Sequence, residues 1–70
     1  MFRVSVVSSN LRSVGYDPAT AVLEVEFHGG GVYHYYGVPD SVYQGLMSAA
    51  SKGGYLADHV KGVYRYRRIG

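Results

Sequence analysis

The residues of this chain best suited to chemistry cluster near its C-terminus, in the run Tyr64-Arg65-Tyr66-Arg67-Arg68. A guanidinium fork can hold a phosphate through two parallel hydrogen bonds, and a tyrosine ring can stack on a base. Interleaving the two serves both halves of a nucleic-acid contact. Lys52 and Lys61 extend the basic character upstream, so five cations from Lys52 onward face one acid, Asp58. Ahead of them Arg3 and Arg12 are set against Asp17, Glu24, Glu26 and Asp40, which leaves a slightly acidic front and a basic end. Such asymmetry points to a polyanionic partner. If the run is extended, Arg65 and Arg67 share one face with Val63, while Tyr64, Tyr66 and Arg68 share the other. The competing reading is a terminal strand that tucks Tyr64 and Tyr66 into the core and leaves the arginines in water.

Other chemistry-bearing residues give weaker patterns. His28, His34 and His59 show no spacing by four and have no cysteine beside them, so no metal site is expected. Ser51-Lys52-Gly53-Gly54 could offer N–H groups and a lysine to an anion. It lacks P-loop spacing and a preceding strand, and a helix corner capped by Ser51 explains it better. Gly29-Gly30-Gly31 reads as a hairpin tip, because no helix follows it. Asp58 and His59 are adjacent in a helix and do not face one another. No serine sits in a nucleophile-elbow motif. Neither a catalytic residue nor a cofactor is expected, and the chain reads as a non-enzyme.

The elements that must position these side chains belong to a small domain. Seventy residues with no cysteine make one unit, residues 1–70, without disulfide or cysteine-type zinc staples. A chain this short buries only about 60 % of its unfolded surface. Eight tyrosines supply contact area in place of staples. Leu11 to Tyr16 alternates loosely, and Asp17-Pro18-Ala19-Thr20 carries turn chemistry. From Ala21 to Phe27 the alternation is clear: Leu23, Val25 and Phe27 on one face, Glu24 and Glu26 on the other. Val32 to Tyr36 forms the second arm of a hairpin. A His28-Gly29-Gly30 loop with Gly30 left-handed pairs Phe27 with Gly31 and sets Tyr33 and Tyr35 beside Val25 and Leu23 on the core face. A two-residue Gly29-Gly30 turn would swap the faces. The first register is preferred, because it places His34 opposite the glutamates and two large rings in the core.

Val38-Pro39-Asp40 begins a helix, with proline in the first turn and Asp40 at the positive end of the dipole. Val42, Tyr43, Leu46, Ala49 and Ala50 make its apolar stripe, and Ser51-Lys52-Gly53-Gly54 breaks it. A second short helix is expected over Tyr55 to Lys61, ending near Gly62. Val63 to Ile69 is either a further strand or an extended arm. The fold class is α+β: a three-stranded antiparallel meander, with or without a short terminal strand, packed against one or two α-helices.

Several of these segments together resemble the KTSC domain, named for the C-terminus of some bacterial lysyl-tRNA synthetases. Tyr33-His34-Tyr35 is similar to its central Tyr-x-Tyr. Ser8-Ser9, Gly15-Tyr16-Asp17, Leu23-x-Val25-x-Phe27, Val38-Pro39, Ser51-Lys52-Gly53 and Tyr64-x-Tyr66-Arg67-Arg68 follow in the matching order. The resemblance runs from Val6 to Ile69 and implies a stand-alone bacterial or phage-type member. It also implies RNA binding, by analogy with the synthetase appendage. The expected function is therefore an RNA- or nucleic-acid-binding module using Lys52, Lys61, Tyr64, Arg65, Tyr66, Arg67 and Arg68. The alternative is a protein-interaction module that docks a partner or a second copy as a homodimer. The start, Met1 to Val7, has only a short apolar run before Ser8-Ser9-Asn10, too short for a signal or membrane segment, so no membrane partner is expected and the cytoplasm is the expected location.

Overall fold

The structure, a computed structural model, describes residues 1–70. In chain order the elements are β1 (Arg3–Ser5), β2 (Leu11–Asp17), β3 (Val22–Phe27), β4 (Val32–Tyr35), α1 (Asp40–Ser48), α2 (Lys52–His59) and β5 (Tyr66–Arg68). The strands form one antiparallel sheet of five in the order β1-β2-β3-β4-β5. The α+β class holds, with two strands more than the three-stranded meander expected. The tail is a strand and not a free arm, since Tyr66, Arg67 and Arg68 pair with Tyr35, His34 and Tyr33. β1 had no clear signature, because Arg3-Val4-Ser5 is short and exists as a strand only through pairing with Ser13–Gly15.

Alternation decides the sheet faces. Leu23 and Val25 are fully buried on the face that carries the helices, while Glu24 and Glu26 lie on the other. Within β2 the register shifts between Leu11 and Ser13, so Arg12 is an extra residue and bulges out. That bulge lets Leu11 and Val14 both point inward despite their spacing of three, and both are fully buried. It is also why the alternation from Leu11 to Tyr16 reads loosely.

The hairpin takes the preferred register: Leu23 pairs with Tyr35, Glu24 with His34 and Val25 with Tyr33. Phe27 N–H donates to Gly31 O at 3.1 Å, and Gly30 has a φ of 97°. Gly31 also lies in the left-handed region, at 95°. Two consecutive residues of positive φ need glycine, since a Cβ there is strained.

α1 begins after Pro39, with Asp40 in its first turn. Its inward side chains are Val42, Tyr43, Leu46 and Met47, and Leu46 is fully buried. The Tyr43 ring stacks on Tyr16 at 4.8 Å, and the Tyr16 hydroxyl donates to Val38 O, tying the helix entry to β2. Helix α2 starts three residues earlier than the Tyr55 expected. Ser51 is its cap as read, its Oγ accepting from Gly54 N–H at 3.2 Å. Lys52, Gly53 and Gly54 thus form the first turn and do not merely separate two helices, the cap offsetting the low helix propensity of the glycines. The helix closes at His59, and Gly62 follows with a φ of 77°. Leu46, Leu56, Val38 and Val60 meet Leu11, Val14, Leu23, Val25 and Tyr35 in one core. No helix is long and apolar enough to cross a membrane.

Candidate functional site

The core ends before the sheet does. Every residue of β5 is exposed, and Tyr66 keeps 64 % of its surface although it points to the helix-bearing face beside Tyr35. An open cleft of about 360 Å³ results, lined by Phe27, Gly30, Tyr33, Tyr35, Lys61 and Tyr66. Its rings are splayed. Tyr33 and Tyr66 have centroids 6.0 Å apart with planes at 47°, and Phe27 meets Tyr33 edge-on at 5.5 Å. Tyr33 and Tyr35 lie nearer to parallel, with centroids 6.5 Å apart, so the π-surface still open to a flat guest is chiefly that of the exposed Tyr66. Lys61 Nζ stands 5.2 Å from the Phe27 centroid, a cation held over a ring at the cleft wall. Arg68 points to the same face beside Tyr33, its Nε donating to Gly70 O at 2.8 Å.

The remaining tail arginines occupy the reverse side. Arg67 pairs with His34, and Tyr36 N–H donates to Arg65 O at 2.9 Å, so Arg65 and Arg67 lie on the glutamate side of the sheet. With Tyr36 and the edge of Tyr66 they border a second open hollow. Tyr66 lines both hollows.

Glu24 and Glu26, the acids of that side, are already engaged. Arg3 Nε lies 3.2 Å from Glu24 Oε2 and His34 Nε2 lies 2.6 Å from Glu24 Oε1. Glu26 accepts from Ser13 Oγ at 2.9 Å and has Arg3 within 4.0 Å. No other basic side chain lies within 4.0 Å of an aspartate or glutamate oxygen, so none of Lys52, Lys61, Arg65, Arg67 and Arg68 has an Asp or Glu partner.

Of the seven side chains singled out from the sequence, Lys61 and Tyr66 line the cleft, Arg68 lies beside Tyr33 on the same face of the sheet, and Arg65 and Arg67 gather behind it. Two do not join them. Lys52 Nζ donates to Ala49 O at 3.1 Å and so serves the end of α1. Tyr64 is half-buried against the core, as the competing reading had it for both tail tyrosines, whereas Tyr66 is open. Tyr33 and Tyr35 were expected in the core. Tyr35 is buried, but Tyr33 is only half-buried and lines the cleft. Phe27 and Gly30 were missed as site residues; the hairpin register was the signal, since it sets Phe27 and Tyr33 on one face at the tip. The three histidines are dispersed: His28 against Ser8 O, His34 on Glu24 and His59 on the Tyr55 ring.

Burial raises the ionisation of Tyr35 above the ordinary 10.0, and charge on Tyr33 and Tyr66 would add to the rise. Tyr16 is raised as well, by desolvation and by Asp40 and Asp17. A folded-state value above the unfolded one stabilises the fold fully below the unfolded pKa, and that contribution is lost as pH rises through the folded one. The contribution of these two tyrosines to stability against urea should therefore be level up to about pH 10 and fall above it. Tyr35→Phe should flatten the fall, and an unchanged alkaline slope in that variant would contradict the assignment.

A family model described as KTSC domain matches residues 7–66. The crystal structure of a KTSC domain protein from Yersinia pestis superposes with a TM-score of 0.96 at 43 % identity, covering 99 % of this chain and 97 % of that one. An uncharacterized protein of Stutzerimonas stutzeri (strain A1501) is 49 % identical over 70 residues, 99 % of each chain. A lysine–tRNA ligase of Nostoc sp. is 36 % identical over 61 residues, which are 87 % of this chain and 11 % of that protein.

Proposed function

The chain belongs to the KTSC domain family, and from that premise we propose that it binds nucleic acid through the aromatic cleft and the free cations around β5. The observation that carries this reading is the exposed Tyr66, its ring beside Tyr33 and Tyr35 in a cleft that Phe27 and Lys61 also line, with Arg68 paired to Tyr33 on the same face. Stacking on such rings contributes about 1–3 kcal/mol per base, and unpaired cations supply the sequence-independent attraction to phosphate. The occurrence of a related segment within lysine–tRNA ligases, whose name gives tRNA as a substrate, supports the same class of partner.

A backbone amide NMR titration with bulk tRNA and with mixed single-stranded RNA, at low and at physiological salt, tests the reading. Saturable shifts at Gly30, Tyr33, Lys61 and Tyr66 to Arg68 are expected, weakening as salt rises. No shift at either salt would sink it. Protein docking is the second reading, favoured by the apolar side chains exposed near the opposite edge, Phe2 at 88 % and Val7 at 100 %. Binding by that surface would tolerate salt and leave the β5 amides unmoved.

A further inference from the structure

Tyr66 belongs to two hollows at once. On the helix-bearing side it closes the cleft of Phe27, Tyr33, Tyr35 and Lys61; on the other it borders Tyr36, Arg65 and Arg67. Both sides are reachable around one edge, because β5 is the last strand of the sheet and exposed along its three residues. Arg65 and Arg67 therefore cannot lie on the same flat wall of phosphates as Lys61 and Arg68.

Resting on the nucleic-acid reading, we infer that the ligand is a single strand that hooks over the β5 edge at Tyr66, seating an unpaired base in the aromatic cleft and its phosphates against Arg65 and Arg67. A duplex does not fit this arrangement. Its bases are stacked inside and offer no free face to a ring, and its rigid rod cannot turn round a strand edge. A single strand has rotatable linkages at every nucleotide and bases whose π-faces are available. Charge agrees with the geometry: the glutamates of the reverse face are engaged by Arg3, His34 and Ser13, and neither pairs with Arg65 or Arg67, which remain free for phosphate.

Fluorescence anisotropy with a mixed-sequence RNA of about a dozen nucleotides, alone and annealed to its complement, reads the difference; that length covers the usual site size of single-strand modules. The single strand should bind at least about tenfold more tightly than the duplex. Tyr66→Leu, at an exposed position, should weaken single-strand binding at least about fivefold while leaving the salt slope unchanged. Arg65→Gln with Arg67→Gln should reduce that slope by about 1.4, two phosphates at roughly 0.7 each. Circular dichroism confirms that each variant is folded. Equal or tighter duplex binding with shifts at the cleft would overturn the hooked single strand and leave the nucleic-acid reading standing. An unchanged salt slope in the double arginine variant would overturn the phosphate assignment. Absence of binding to either form would overturn both.

Discussion

Leu23→Ala should destabilise the fold by about 2–5 kcal/mol, the range for emptying a fully buried leucine site. Leu23 has no exposed surface and sits in the third of five strands, between Tyr16 on β2 and Tyr35 on β4. Its cross-strand partners are the tyrosines Tyr16 and Tyr35, and the β-branched Val25 follows it on the same face, so collapse into the void is limited. For a chain of 70 residues a total stability of roughly 4–10 kcal/mol is ordinary, and the loss would take a large share of it. Urea denaturation should show a lower midpoint with the slope unchanged. A loss below about 1 kcal/mol would mean that the sheet and helices do not share the core described here.

The second large effect is expected at Gly15→Val. Valine suits strands in general, and glycine there weakens a strand by roughly 0.5–1 kcal/mol relative to alanine, so propensity alone predicts a gain. Packing predicts the reverse. A Cβ on Gly15 would stand 2.8 Å from Phe2 O and 3.0 Å from Arg3 Cγ. The first of these is backbone, so β1 itself must move. Moving it draws Arg3 from Glu24 and loosens the pairing of Arg3 with Gly15. Overpacking of this kind costs about 1–3 kcal/mol, more than the propensity gain. Hydrogen exchange should show protection lost along β1 while the β3–β4 ladder stays protected. A variant more stable than the parent, with β1 still protected, would show that the edge strand yields at no cost.

These two positions differ in how readable they were. Leu23 declares itself by alternation with Val25 and Phe27 against Glu24 and Glu26, and the pattern names the core face without a structure. The hairpin register was legible for a similar local reason: only a loop with Gly30 left-handed puts His34 with the glutamates, and His34 does bond Glu24. Ser51 as a cap and Pro39-Asp40 as a helix start are also local chemistry. Gly15 was visible only as part of a family motif. Its requirement comes from Phe2 and Arg3, a dozen residues away, folding back across it.

The candidate site divides along the same line. Period two in Val63 to Ile69 already separated Arg65 and Arg67 from Tyr66 and Arg68, because successive side chains on a strand point to opposite faces. Composition likewise placed the free positive charge near the C-terminus. What local pattern does not carry is where the helices stop. Whether a tyrosine on the core face is buried depends on how far α1 and α2 reach across the sheet. They cover Tyr35 and leave Tyr66 open, while Tyr64 packs back on the core. Phe27 joined the cleft for the same reason, whereas Lys52 was drawn to the end of α1 by a carbonyl only three residues back, Ala49 O. Alternation, turns and caps follow from neighbours within a few positions and were determined by the sequence read locally. The cleft arises where the cover of one layer over another ends, and only the tertiary packing decided that boundary.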